Sequence, residues 1–263
     1  MPGTTSMTPA VSSARRSALR TLLWTETKLY LREPLTTFFT LALPVGLLLI
    51  LGSAIPGFRD PDPNLGGERV VDTHLPVMMI VLSVMISAFS AIPAALAVYR
   101  ERGVLRRMSV TPVAPRSLLL TQLLLNLATS IVAVLLMIVA GALVFGTRPP
   151  GQFPLFALTF LLGLCGLFGL GLCLAAVVPS SRAAGGIGSV VTFPLLFLAG
   201  MWVPRELMPD ILRKIGDFTP TGAFGQAMRD AWAGTTPDAL HLVVLAVWAV
   251  GATALGVRAF RWE

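Results

Sequence analysis

The sequence predicts an all-α polytopic membrane protein: six transmembrane helices, an N-terminal interfacial helix and two short outer re-entrant helices. Three observations predict this. Hydrophobic residues fill 55% of the 263 positions and charged residues 13%, with a mean hydropathy of +0.79. Soluble domains run near 25% charged, and so few charges cannot cover a water-exposed surface of this size, whereas lipid can solvate it. Six apolar runs approach or exceed the ~20 residues needed to cross a hydrocarbon core of ~30 Å. Lys and Arg are also spread unequally over the loops that join those runs.

In chain order, residues 1–17 are basic, free of acids and rich in Ser and Thr, and read as a disordered cytoplasmic tail. Residues 18–33 read as a moderately amphipathic helix lying in the inner interface. Ala18, Leu19, Leu22, Leu23, Leu29 and Tyr30 share one face of it, and Arg20, Thr21, Thr25, Lys28 and Arg32 the other. Trp24 belongs near the headgroups, and Glu26 and Glu33 interrupt the apolar side. Pro34 ends this helix and turns the chain into the first span.

The apolar runs are roughly 36–53, 75–98, 117–145, 153–178, 185–203 and 239–257. Six spans put both termini on one side. That side holds 13 of the 20 Lys and Arg but only 4 of the 13 acids. The excess of Lys and Arg in short loops places both termini in the cytoplasm. The high pI is thus a topology signal. A nucleic-acid partner is not indicated, because the positive charge is scattered over membrane flanks.

Between the fifth and sixth runs, residues 204–235 lie outside. Leu207, Met208, Ile211, Leu212 and Ile215 recur at helical spacing, with a helix start at Pro209 and a stop available at Gly216. Ala223, Phe224, Ala227, Met228, Ala231 and Trp232 form a second set. Neither is long enough to span, so the pair reads as re-entrant helices whose ends other protein must satisfy.

Sequence signatures of catalysis are mostly absent. No phosphate-cradling G-x-x-x-x-G-K-[ST] loop is present, and neither lysine, Lys28 nor Lys214, follows a glycine. His74 and His241 stand alone in sequence. Cys165 and Cys173 lie ~12 Å apart along one helix, too far for a disulfide. With Gly169, and with Gly163 and Gly166 nearby, they make a small-residue stripe of the kind that lets helices approach closely. No catalytic, cofactor-binding or metal-binding residue is assigned. The spans hold no Asp, Glu, Lys or Arg, which argues against a proton or sodium relay and places any energy source outside this chain. Their polar residues are uncharged, and Ser87, Gln122 and Asn126 form a candidate substrate path. Asn126 must face another helix or a water-filled path.

The segment 99–116 is a charged cytoplasmic loop between two of the most apolar runs. It holds Arg100, Glu101, Arg102, Gly103, Leu105, Arg106, Arg107, Thr111, Pro112 and Arg116. With "ERGVLRRMSVTP", and with Gly200, Thr219 and Pro220 around the outer helices, the chain from residue 17 on resembles the membrane subunit of type-2 ATP-binding-cassette (ABC) exporters. The likeness is to the daunorubicin-resistance type. Relatives often carry Asn-Pro where this chain has Thr219-Pro220.

The resemblance implies that residues 34–263 form a six-span permease domain in the bacterial plasma membrane. In that reading, residues 100–107, Thr111 and Pro112 dock on an ABC ATPase subunit, with Glu101 and Arg102 able to pair with its surface. Two ATPase copies, using ATP and magnesium, would serve two permease copies, as a homodimer or with a similar subunit. Gly200, Pro204, Pro209, Thr219, Pro220 and Phe224 would form the outer re-entrant gate. The implied activity is ATP-driven export of an amphipathic drug, antibiotic or lipid-like substrate. Export of a glycan or lipid-linked saccharide is the alternative, and a membrane-embedded enzyme or assembly factor is the reading from another class.

Overall fold

The structure, a computed structural model, describes residues 23–63, 67–104, 116–203 and 205–259. Helix α1 covers residues 23–31. It is followed by α2 (Pro34–Ala54), α3 (His74–Glu101), α4 (Arg116–Phe145), α5 (Phe153–Val177) and α6 (Ser181–Ala199). Two short helices, α7 (Asp210–Phe218) and α8 (Pro220–Ala233), precede α9 (Ala239–Ala259). Helices α2 to α6 and α9 are each long and apolar enough to cross a membrane. The fold is therefore that of an all-α, multi-pass membrane protein. One end of the bundle carries Glu101, Val177 and Ser181 and is called the basic end. The opposite end carries residues 55–73, 146–152 and 200–238.

The fifth span starts and stops earlier than its apolar run suggests. Ser180 accepts a bond from the Ala183 amide at 3.2 Å and so caps α6 four residues before the expected start. Gly200, at φ +91°, closes the helix in the left-handed conformation.

Helices α2 and α3 each contain a π-turn, Phe38–Ala42 and Ser87–Ala91. Each lies just before a helical proline, Pro44 or Pro93. Proline has no N–H for the carbonyl four residues back, so Thr40 and Phe89 are left with free acceptors. Ser83 Oγ donates to the Thr40 carbonyl at 2.7 Å and ties α3 to α2. The Phe89 carbonyl faces Gly188 of α6, and the neighbouring Ala88 carbonyl faces Gly171 of α5. The core thus forms around α3, whose residues 74–85 are buried throughout.

The small-residue stripe of α5 lies against α9. A Cβ on Gly169 would stand 2.5 Å from the Thr253 nitrogen, and one on Gly256 would stand 2.6 Å from the Gly169 carbonyl. Thr253 Oγ1 donates to the Cys165 carbonyl at 3.1 Å. In lipid, where hydrophobic contrast between helices is lost, such close van der Waals and backbone contact is what holds two helices together.

The two outer helices differ from each other. In α7, Ile211, Ile215 and Phe218 are exposed, Ile211 by 73%. Gly216 does not end this helix. It continues to Phe218, and Gly216 is buried where a Cβ would stand 2.8 Å from the Leu198 carbonyl. Helix α8 is not amphipathic at a surface but is buried from Pro220 to Met228, packed against α3, α5, α6 and α9. Its Phe224 is fully buried against Gly163.

Candidate functional site

Three groups of polar side chains stand out, one at each end of the bundle and one along its wall. At the basic end, Arg100 Nη2 donates to the Val178 carbonyl, and the Glu101 carboxylate accepts from the Ser181 amide at 2.8 Å and from Ser181 Oγ at 3.0 Å. Arg102 is exposed, and Gly103 takes a left-handed φ of +61° that turns the chain out of α3. Leu105, Arg106, Arg107, Thr111 and Pro112, assigned to docking from the sequence, lie outside the described residues.

The second group joins α1 to α3 and α4. Glu26 is only 7% exposed. Its Oε2 accepts from the Tyr99 hydroxyl at 2.5 Å and from Gln122 Nε2 at 2.8 Å, and Gln122 Nε2 also lies 2.9 Å from the Tyr99 oxygen. One turn on, the Tyr30 hydroxyl meets Thr40 Oγ1 at 2.5 Å, and burial pushes its pKa up. The face of α1 turned to the bundle therefore carries Glu26 and Tyr30, while Trp24, Lys28 and Leu29 point away, with Lys28 Nζ 5.0 Å from the Trp24 ring. In sequence Glu26 reads only as an interruption of an apolar face. The signal that could have found it is the i, i+4 pair Glu26–Tyr30 set against the partners Tyr99 and Gln122.

Asn126 Nδ2 donates to the Gln122 carbonyl at 2.8 Å. Its Oδ1, like Ser130 Oγ one turn further, is buried with no hydrogen-bond partner among the described residues. Ser87 is buried within the α3 π-turn. Arg32 is exposed, and Glu33, which precedes α2, accepts from Thr36 Oγ1 at 3.2 Å.

The third group fixes the outer helices. Asp217 Oδ1 accepts from Arg205 Nη2 and lies 2.9 Å from His241 Nε2. Burial would raise the Asp217 pKa, but bonds from His241 and Arg205 hold it below the ordinary value. Pro209 precedes α7, and Pro204 lies outside the described residues. Thr219 Oγ1 accepts from the Gly222 amide at 3.1 Å and donates to the Gly216 carbonyl at 2.7 Å, so Thr fills the helix-capping role that Asn would fill. Pro220 then occupies the first helical position.

Asp217→Asn is expected to destabilise the chain by roughly 2–3 kcal/mol, because Arg205, only 8% exposed, keeps its burial and loses its counter-charge. A carboxyl whose pKa is depressed by folding adds stability above its unfolded value, and that stability is lost as pH falls through the folded value. The gap in unfolding temperature between wild type and variant should therefore close as pH drops below 3.8, the ordinary carboxyl value.

A cavity of about 330 Å³ opens between α2, α3 and the turn after α6, at the end opposite the basic one. Phe58, Met78, Met79, Met201 and Trp202 give it a mostly apolar wall, with Asp62 and His74 as its polar members. Ser87, Gln122 and Asn126 do not line it. Among the described residues no three His, Cys, Asp or Glu side chains group as metal ligands would.

Residues 17–232 match the sequence profile of a family described as ABC-2 type transporter. The chain is similar to the transport permease YvfS of Bacillus subtilis (strain 168), at 23% identity over 221 residues, covering 84% of this chain and 87% of that one. It is also similar to the inner membrane transport permease YhhJ of Escherichia coli (strain K12), at 28% over 169 residues. That match covers 62% of this chain and 43% of the relative, so it spans less than half of YhhJ.

Proposed function

The chain belongs to the ABC-2 type transporter family, and from that premise we propose that this transport permease subunit works in an ATP-driven exporter of amphipathic, drug-like or lipid-like molecules. The observation that carries the reading is the family match over residues 17–232 on a chain with six membrane-spanning helices. The basic end is then cytoplasmic, in a bacterial plasma membrane, and faces an ABC ATPase subunit that hydrolyses ATP with magnesium. Two permease copies and two ATPase copies would make the working unit. Of residues 100–112, assigned to docking from the sequence, those from Arg102 on are the docking element in this reading, since Arg100 and Glu101 are bonded to Val178 and Ser181, and the outer helices with Gly200, Thr219, Pro220 and Phe224 form the gate.

The apolar cavity supports an amphipathic substrate. It is of ligand size, and Met and aromatic walls accept apolar groups of varied shape. The test is ATP-dependent uptake of a fluorescent anthracycline into inverted vesicles holding the chain and its ATPase. Uptake above that of vesicles without ATP supports the reading. Transfer of a lipid-linked saccharide with no anthracycline uptake would favour the saccharide alternative.

Trp202→Ala removes a ring from the cavity wall that is 56% exposed, so it should fold normally. The expected result is a rise in the KM of uptake of roughly tenfold, as ~1–2 kcal/mol of apolar contact is lost, with kcat nearly unchanged. An unaltered KM would remove this cavity from the transport path.

A further inference from the structure

Arg100 and Glu101 end α3, yet both are bonded to the connection between α5 and α6. Arg100 donates to the Val178 carbonyl, which follows the last residue of α5. Glu101 accepts from the amide and hydroxyl of Ser181, the first residue of α6. The charges suit their places. A helix C-terminus presents unpaired carbonyls and a partial negative charge, which a guanidinium satisfies. A helix N-terminus presents unpaired amides and a partial positive charge, which a carboxylate satisfies. Two adjacent residues of opposite sign thus grip both sides of the elbow 178–180.

Helix α6 continues this connection to the far end of the bundle. Its Gly188 seats on the Phe89 carbonyl, and its Leu195 carbonyl accepts from Thr221 Oγ1 of α8 at 2.9 Å. Near its end, the Leu198 carbonyl abuts Gly216 of α7. A shift of α6 along its axis therefore acts on both outer helices.

We propose that Arg100 and Glu101 are positioning residues that clasp the end of α3 to the α5–α6 elbow, so that a displacement of the chain leaving α3 reaches the outer helices through α6. The proposal rests on the reading that this chain is driven by an ATPase at its basic end. It differs from a docking role for Glu101, because the carboxylate is engaged within the chain. The Glu101–Ser181 contacts are exposed at the bundle end and the Arg100 bond is only part-buried, so the clasp adds little to stability and is read in motion instead.

The test uses the full chain with its co-purified ATPase in nanodiscs, and a cysteine at exposed Lys214 on α7 as reporter. In the parent complex, ATP should change the rate at which an impermeant thiol reagent labels position 214. Glu101→Gln keeps an oxygen that accepts from the Ser181 amide and should keep the response. Glu101→Lys should reduce it about fivefold or more. Adding Ser181→Asp to Glu101→Lys replaces the native hydrogen bonds by an ion pair between the same two positions and should restore it. ATPase pull-down yield should be the same in all four. A full response in Glu101→Lys, or a loss that Ser181→Asp fails to repair, overturns the clasp, and a parallel loss of pull-down would make Glu101 a docking residue. No ATP effect in the parent would overturn the transport reading instead. The clasp is then decided by hydrogen exchange at the Ser181 amide, which Glu101→Lys should accelerate about tenfold over Glu101→Gln. Equal exchange in the two would overturn it.

Discussion

Gly169→Leu is expected to remove the protein from the membrane fraction, and Gly169→Ala to lower its unfolding temperature sharply. The α5–α9 contact is made by backbone on backbone. At Gly169 an added Cβ would meet the Thr253 nitrogen at 2.5 Å and the Ala252 carbonyl carbon at 2.6 Å, and no side chain stands there to move aside. The helices must separate, and Gly256, Thr253 and Cys173 lose their contacts together. Overpacking a tight core costs about 1–3 kcal/mol per small increment, and a leucine adds several such increments. Gly251, also on α9, is the control, because nothing lies within 4 Å of its Cβ position. Gly251→Ala should be neutral or slightly stabilising, as Ala is a better helix former by about 1 kcal/mol. Detergent thermal unfolding and membrane yield of the three variants check this. Equal yields for Gly169→Leu and Gly251→Ala would show that α5 and α9 do not meet here.

That contact is legible in the amino-acid sequence, because glycines and cysteines three and four apart on an apolar helix have few roles other than close packing. The spans are legible for a similar reason: apolar length is a local property, and the bilayer fixes what length is needed. Helix ends are less so. The start of α6 depends on Ser180 capping, and "SSRAAGG" looks like loop until the cap is seen. Gly216 reads as a stop in sequence but is a packing glycine, since which carbonyl it abuts depends on α6, not on its neighbours. The π-turns have a local cause in Pro44 and Pro93, but their consequence, the Ser83 bond to Thr40, spans forty-three residues. Among candidate site residues, Gln122 and Asn126 stand out in sequence as polar groups ill at ease in lipid. Their surroundings do not, because Glu26 comes from a helix outside the spans. The apolar runs hold no charge of their own, and the carboxylate reaches their polar groups from beside them.

That carboxylate gives the second large effect. Glu26→Leu is expected to destabilise the chain by roughly 2–6 kcal/mol and to release α1 from the bundle. The Tyr99 hydroxyl and Gln122 Nε2 both donate to Glu26 Oε2 in a buried setting. Leucine fills the space but accepts nothing, and each buried donor left without its acceptor costs about 1–3 kcal/mol. Glu26→Gln keeps one carbonyl oxygen in place and should lose less than half as much. The cost belongs to the stranded donors more than to Glu26, and this can be separated. In the triple variant Glu26→Leu, Tyr99→Phe, Gln122→Leu, the three polar groups leave together, and replacing whole sets of partners with apolar groups is close to neutral. At least half of the lost stability should return. Thermal unfolding in detergent measures all three variants, and a triple variant no more stable than Glu26→Leu alone would mean that α1 is held by other contacts. If the triple variant is stable but transports poorly, the Glu26–Tyr99–Gln122 cluster serves transport as well as attachment, since α1 is then still held to α3 and α4 and only the polar groups are gone.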